Sequence, residues 1–469
     1  MKYEANIHLF CCGEKKYFYD VNKNAIIKIT DEAYNLLCNK NYDNIIRNEE
    51  LNLLFDKGYL SDNKPEKIVH PCNSLVGELL SRNLSKLCLQ ITQQCNFRCD
   101  YCVYSGSYNN RTHSSKEMSW DIAKKAIDFL IQNSSCNEMI DIGFYGGEPL
   151  IRYDFIEKCI SYAKVEAEGK KVTFSITTNG SLLTEKMVER FLQEDINVVV
   201  SLDGPRDVQN RQRKLLNGKG SFDSVYYNIE HLVSKHPKFK DQLSFNMVID
   251  QRYEIQPIID FVSDENSIAS TIEISAQTIA EDGKKEPMQY DERFIEQWKY
   301  GEFRYLLFLL HRLSNNNKDL RIWADEYLKT KIFIKESRHN MKPLQKCDHH
   351  GGPCVPGQLR LFVNSEGLFY PCERVSESTK DMIIGNVDTG FNYENVKKLL
   401  NIGQLTEKEC RKCYAFRNCS ICATSVDDEG TLSRRRKMSA CVESKNLFDE
   451  MLKTVAALYQ CGYSLDTFE

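Results

Sequence analysis

The chain lacks the marks of export and of membrane insertion. Met1-Lys2-Tyr3-Glu4-Ala5-Asn6 is not a basic stretch followed by an apolar run, and nowhere do about eighteen apolar residues follow one another. It also lacks an excess of charge of either sign: 62 Lys and Arg stand against 66 Asp and Glu, a net charge of -4, which argues against bulk nucleic-acid binding. A soluble cytoplasmic protein without nucleic-acid or membrane partners is the expectation. A third scarcity is local. After Cys95, Cys99 and Cys102, which sit on one short loop, the next cysteine is Cys136, so no fourth thiol lies nearby.

What the chain has is size, apolar content and cysteine. At 469 residues with 42% hydrophobic and 11% aromatic side chains it can build real cores and divides into roughly three domains. Nineteen cysteines would suggest disulfides in a secreted protein; in a reducing cytosol they favour metal ligation. Three lie at 95–102, eight between Cys347 and Cys441, and eight are scattered, where small buried hydrophobes are the plain reading.

The spacing Cys95-x3-Cys99-x2-Cys102 can hold three irons of a cubane while a fourth iron keeps an open face, thiolate being the soft ligand such clusters need. The competing reading is a three-cysteine zinc knuckle completed by a distant histidine. From 84 to 310 the chain alternates strands and helices, with strands expected at 87–92, 140–145, 173–178, 197–202, 244–249 and 271–275, and helices such as Trp120–Gln132 and Glu185–Glu194 between them. Unusual residues recur after these strands: Gly146-Gly147-Glu148-Pro149, then Thr177-Thr178-Asn179-Gly180, then Ser201-Leu202-Asp203-Gly204-Pro205. Each fragment alone is an ordinary turn; in order, at successive strand ends, they mark one site.

The cysteine loop with these strand-end motifs resembles the radical SAM superfamily. The resemblance implies an α/β fold, a partial (β/α)6 TIM-type barrel, and an open iron that chelates the amino and carboxylate groups of S-adenosylmethionine (SAM). It implies SAM contacts from the Gly146-Gly147-Glu148-Pro149 turn, from Thr178 and Asn179, from Ser201 and Asp203, from Arg213 by pairing a carboxylate, and from Asn246, with Tyr101 flanking the adenine. One-electron cleavage of SAM would give a 5′-deoxyadenosyl radical that abstracts hydrogen from an unactivated carbon.

Residues 1–78 show a hairpin, 7–10 and 16–19 around Gly13-Glu14, then helical runs from Asp31 and Asn48 that end near Gly58. This resembles winged-helix-like domains that recognise leader peptides. Residues 311–346 read as a helical connection with a polar break at 314–318, and 446–469 as a C-terminal helix.

Between them, 347–445 carry Cys347-x6-Cys354-x17-Cys372 and Cys410-x2-Cys413-x5-Cys419-x2-Cys422, then Cys441. Eight thiolates fit two four-coordinate clusters, or two zinc sites. The pattern resembles the SPASM domain, which implies two auxiliary [4Fe–4S] clusters, one on Cys347, Cys354, Cys372 and Cys422, the other on Cys410, Cys413, Cys419 and Cys441. Two residues rather than the common three separate Cys419 from Cys422, and Cys347 is the outlying ligand.

Taken whole, the chain resembles SPASM peptide maturases of the sactipeptide and ranthipeptide class. That implies thioether crosslinking of a Cys-rich ribosomal precursor peptide, an auxiliary cluster as electron acceptor, and a flavodoxin- or ferredoxin-type donor. Carbon–carbon crosslinking and sulfatase oxidation to formylglycine are the alternatives. Glu373 stands where related sulfatase-maturing enzymes carry a catalytic Asp, and is the candidate base. The run Arg434-Arg435-Arg436-Lys437 is expected to be a solvated face or a dock for an acidic partner.

Overall fold

The computed structural model describes residues 4–40, 47–105, 107–108, 111–167, 169–281, 283–314, 317–337 and 342–463. Residues 315–316 of the expected polar break and 464–469 of the expected last helix lie outside them.

Six strands, Lys86–Thr92, Met139–Gly146, Lys171–Thr178, Ile196–Ser201, Leu243–Ile249 and Glu273–Thr278, pair in parallel, each with its neighbours in sequence. Helices cover the sheet, so its strands carry near-continuous apolar runs such as Val198 to Val200. Helix Trp120–Gln132 starts where the Ser119 side chain accepts from the Ile122 amide, and Glu185–Glu194 where Thr184 does the same for Met187. The sixth strand begins later than expected because Ile268–Ser270 turn into a 3-10 segment, closed by the Thr271 amide donating to the Ile268 carbonyl.

The sheet does not stop at its first strand. Leu361–Val363 joins Lys86–Thr92 in parallel, Leu361 opposite Leu87, and Leu368–Tyr370, Gly385–Asn386 and Gly390–Phe391 follow as an antiparallel meander. The cysteine-rich region therefore covers an edge the six units leave open. Buried side chains lock the junction: Gln90 Nε2 donates to Glu377 Oε1 (2.6 Å) and the Ser365 amide donates to Gln90 Oε1 (3.0 Å). The buried Arg111 pairs with the same carboxylate at 2.6 Å.

At the amino end, Ile7–Cys12, Lys15–Asp20 and Ala25–Ile29 form an antiparallel sheet, with Gly13-Glu14 as the two-residue turn between Cys12 and Lys15. Helices Asp31–Cys38 and Glu49–Asp56 follow. The second ends in a Schellman turn at Gly58 (φ +78°), the Gly58 amide donating to the Phe55 carbonyl and Tyr59 to Leu54. One face of this sheet packs on its own helices; the other joins the main core through Phe10, Tyr17 and Tyr19. His8 stacks on Tyr414 at 3.8 Å and pairs with Asp449 at 2.8 Å.

The last helix is longer than the sequence suggests. It runs Arg434–Gln460, capped by Ser433 accepting from the Arg436 amide, so the basic run forms its first turn. Among the described residues no helix is long and apolar enough to cross a membrane.

Candidate functional site

The first strand ends at Thr92 and the chain turns into the cysteine loop. Phe97–Cys99 pairs antiparallel with Arg213–Leu215, Arg213 opposite Cys99, which fixes the loop against the end of the fourth unit. The Cys95 sulfur accepts from the Phe97 amide at 3.3 Å. Burial pushes the Cys95 thiol up to about 11 and the Cys99 thiol up to about 12, and raises Cys102; Cys95 also feels Cys102, and Cys99 feels both other thiols of the trio. Such thiols stay protonated at neutral pH until a cation displaces the protons, so cluster loading is coupled to proton release.

Zinc fits this loop poorly. Tetrahedral zinc with 2.3 Å bonds needs sulfurs about 3.8 Å apart. Among the described residues, the single set of three or more ligand atoms within 4.8 Å of one another is Glu185, Glu189 and His236, far from any cysteine in sequence. The three loop sulfurs are thus not gathered at single-ion spacing.

The Gly-Gly-Glu-Pro turn is built onto the start of the cysteine loop. The Gly147 amide donates to the Thr92 carbonyl and the Glu148 amide to the Gln94 carbonyl, both at 2.8 Å. A Cβ on Gly146 would lie 2.2 Å from the Thr92 carbonyl oxygen, and one on Gly147 2.0 Å from that of Gln94, so only glycine allows the approach. Glu148, fully buried, accepts at Oε1 from Thr178 Oγ1 (2.7 Å) and the Leu150 amide (3.0 Å), and at Oε2 from the Asn179 amide (2.7 Å). Burial raises its pKa while these donors pull it back. Pro149 opens the following short turn.

This geometry uses up Thr178: its hydroxyl donates to Glu148 and accepts from the Gly180 amide (3.0 Å), so it holds the turn together. Asn179 reaches the loop, its Nδ2 donating to Asn96 Oδ1 at 2.8 Å and lying 4.0 Å from Cys95 Sγ. On the next strand end Asp203, fully buried, gathers three donors: Tyr101 OH at 2.5 Å, Arg213 Nε at 3.0 Å and the Val248 amide at 3.0 Å. The Arg213 guanidinium lies 5.3 Å from the Tyr101 ring centre. Its partner carboxylate is thus one of the chain's own, and among the described residues its terminal nitrogens make no further hydrogen bond. Ser201 and Asn246 face each other in strand register beside this cluster.

The cysteines of the third region fall into two sets. Burial raises Cys354, with Cys422 adding to it; burial pushes Cys372 up to about 11, with Glu373, Cys422 and Cys354 adding. Burial pushes Cys413 up to about 11, with Cys419 and Cys410 adding, and Cys441 is raised by burial and by Cys410. Cys347 is exposed, on a two-residue strand paired with Lys67-Ile68. Gly351 and Gly352, which the motif reading passed over, make the first set possible. A Cβ on Gly352 would lie 1.8 Å from the Ile421 carbonyl oxygen, and one on Gly351 2.2 Å from that of Arg417, so this loop runs against the Cys419–Cys422 backbone.

Glu373 sits between the sheet and this region. Its Oε1 accepts from Arg360, its Oε2 is buried with no hydrogen-bond partner among the described residues, and its charge acts on Cys88 and Cys372. Beside the cysteine loop opens a cavity of about 780 Å³, lined by Cys99, Tyr101, Tyr104, His113, Arg252 and Lys284 among others. Arg252 and Lys284 carry no motif and could not be found from the sequence. The basic run does not form one face: Arg434 and Arg435 are exposed and pair with Glu409 and Asp428, whereas Lys437 is wholly buried.

A mostly parallel sheet with a three-cysteine loop after its first strand, tied to a glycine-carboxylate turn after its second, is the arrangement that the resemblance to radical SAM enzymes implies. Comparison with known proteins agrees: residues 89–263 match the radical SAM superfamily. A cysteine-type anaerobic sulfatase-maturating enzyme of Clostridium novyi is 33% identical over 372 residues, 72% of this chain and 87% of that protein. The radical SAM cyclopropyl synthase TigE of Paramaledivibacter caminithermalis is 26% identical over 407 residues, 82% of this chain and 78% of that one. The solved structure of native anSMEcpe with bound AdoMet superposes with a TM-score of 0.57 at 20% identity, over 79% of this chain and 99% of that one.

The chain belongs to the radical SAM superfamily. It is an enzyme, a maturase of the SPASM and sulfatase-maturating type, whose cofactors are SAM and a [4Fe–4S] cluster. Asp203→Asn leaves buried Arg213 without its counter-charge. SAM affinity is expected to fall about tenfold, or ~1.4 kcal/mol. Equilibrium binding of SAM to the reconstituted protein measures it, and an unchanged affinity would remove Asp203 from the site.

Proposed function

We propose that this protein installs thioether crosslinks in a Cys-rich ribosomally made precursor peptide, which residues 1–78 recognise through its leader. The observation that carries this reading is the surplus of chain: 79% of it spans 99% of anSMEcpe, so about a fifth has no counterpart there. The three-stranded unit at the amino end, packed beside Cys413 through His8 and Tyr414, suits the recognition of a second peptide segment. When bound, the cluster with SAM would supply the radical chemistry that removes one hydrogen atom from a substrate carbon, and an auxiliary cluster would supply the acceptor for the electron released as the cysteine sulfur, losing its proton, bonds to that carbon.

The protein's own residues bind, orient and move the proton. Cys95, Cys99 and Cys102 hold the SAM cluster. The Gly146-Gly147-Glu148-Pro149 turn, Asn179, Ser201 and Asn246 line the SAM site, with Tyr101 and Arg213 oriented by Asp203. Cys354, Cys372 and Cys422, with Cys347 as outlying ligand, hold one auxiliary cluster; Cys410, Cys413, Cys419 and Cys441 hold the other. Glu373, with one carboxylate oxygen free of partners among the described residues, takes the proton of the attacking thiol. A flavodoxin- or ferredoxin-type protein delivers the reducing electron.

Sulfatase maturation is the second reading, favoured by the 33% identity to the Clostridium novyi enzyme. Glu373, where the resemblance to sulfatase-maturing enzymes implies an Asp, counts against it. Anaerobic incubation with SAM, reductant and either a Cys-rich precursor peptide or a sulfatase-derived peptide separates the two. Loss of two hydrogens per crosslink in the Cys-rich peptide, with fragmentation locating a sulfur–carbon bond, is expected. Formylglycine in the sulfatase peptide, with no change in the other, overturns the proposal.

A further inference from the structure

Helix Arg434–Gln460 opens on four cations although a helix N-terminus favours anions. Two of them answer by reaching outward, Arg434 to Glu409 and Arg435 to Asp428, each at 2.8 Å. Lys437 turns inward. It is 0% exposed, and its Nζ donates to Thr406 Oγ1 at 2.8 Å and to Cys410 Sγ at 3.4 Å. Among the described residues no carboxylate pairs with it. Burying an ammonium without an opposite charge is unfavourable, so this position implies an anion beside it. Cys410, Cys413, Cys419 and Cys441 are the groups placed to hold one, and Lys437 is among the charges acting on Cys419 and Cys441. A cluster bound by four thiolates carries net negative charge, because thiolates and sulfides together outweigh the irons.

The other set of thiols has an ion pair beside it instead, Glu373 accepting from Arg360, which also acts on Cys354. The largest charge acting on Cys372 is that of Glu373. Reduction adds negative charge to a cluster, so a nearby ammonium that donates to a ligand sulfur raises the reduction potential and a nearby carboxylate lowers it.

We propose that Lys437 is the charge-compensating donor of the auxiliary cluster on Cys410, Cys413, Cys419 and Cys441, and makes it the more oxidising of the two auxiliary centres. One electron then passes downhill from the cluster beside Glu373, which is oxidised, to the one beside Lys437, which is reduced. This rests on the assignment of two auxiliary clusters given above.

The test is a redox titration of anaerobically reconstituted full-length protein followed by electron paramagnetic resonance, with iron and sulfide counted per chain; the signal that shifts on adding SAM identifies the SAM cluster. With iron content unchanged, Lys437→Met is expected to lower the reduced-to-oxidised ratio of one auxiliary cluster at least tenfold at fixed poise, about 59 mV for a one-electron couple. Lys437→Arg, which keeps the charge, should stay within about threefold of the parent, less than half that shift. An unmoved potential in Lys437→Met, or equal shifts in both variants, overturns the proposal. Should Lys437→Met fail to hold its iron, full loading in Lys437→Arg with deficient loading in neutral Lys437→Gln supports it, and full loading with unchanged potential in Lys437→Gln overturns it. A parent chain holding only the SAM cluster's iron ends the two-cluster assignment and this role with it, before any variant is made.

Discussion

Cys99→Ala should yield a protein that folds, loses the iron held by this loop and forms no 5′-deoxyadenosine. Cys99 is buried and locked by strand pairing to Arg213, so neighbouring residues cannot shift to supply a substitute ligand. Cys95 and Cys102 alone leave two irons without protein ligands, and the cluster is lost. SAM cleavage is expected to fall by at least about a thousandfold, because without the cluster no electron enters the sulfonium. Replacing a small buried thiol by a methyl group removes little volume, so unfolding free energy should drop by only about 1 kcal/mol. Iron analysis with chromatographic quantitation of 5′-deoxyadenosine checks it. Cleavage of SAM by the variant at even a tenth of the parent rate would refute the role of this loop.

Gly147→Ala should be the most damaging single methyl group in the molecule's second strand-end turn. The new Cβ would meet the Gln94 carbonyl oxygen at 2.0 Å and its carbonyl carbon at 2.5 Å, and both belong to backbone that cannot rotate away. Relief requires breaking the Gly147–Thr92 and Glu148–Gln94 hydrogen bonds, which moves the loop carrying Cys95. Overpacking of this kind costs about 3 kcal/mol, more if a hydrogen bond is lost as well. SAM cleavage should fall at least about tenfold, since small misplacements cost that much. Gly77→Ala is the control: nothing lies within 4 Å of its added Cβ, inside helix Val76–Arg82. There the methyl should stabilise by about 0.5–1 kcal/mol. Denaturant unfolding of both variants reads the contrast, and equal stabilities would show that the close approach at Gly147 does not exist.

Much of the site was legible because its parts are local. Three cysteines on eight residues stay together whatever the rest of the chain does, and a glycine-glycine turn after an apolar run announces a close approach before its partner is known. The strands were legible for the same reason: runs such as Val198-Val199-Val200 have few alternatives to a buried sheet, and Ser119 and Thr184 mark helix starts by a bond to an amide three residues on. Where competing local structure exists, boundaries slipped, as at Ile268–Ser270. Thr178 shows a subtler limit. A hydroxyl beside an asparagine at a strand end suggests a ligand contact, but a carboxylate thirty residues earlier accepts its hydrogen bond.

The basic run shows the largest gap between pattern and position. Four cations in a row read as surface because charge prefers water, and for Arg434 and Arg435 that holds. Lys437 differs only because the helix begins at Arg434 and its periodicity turns this side chain toward Thr406 and Cys410, residues 31 and 27 positions away.

The sequence by itself determined the chemistry-bearing loop, the order of strands and helices and the count of thiols, since each rests on bonds or periodicities spanning a few residues. Only the tertiary structure decided that Asp203 gathers Tyr101 and Arg213, that the cysteine-rich region extends the sheet beside Lys86–Thr92, and that Lys437 turns inward to Cys410. Those outcomes depend on contacts between segments up to hundreds of residues apart, and a distant pair leaves no mark in sequence until packing brings both members into one dry place where charge, hydrogen bonds and volume must be satisfied together.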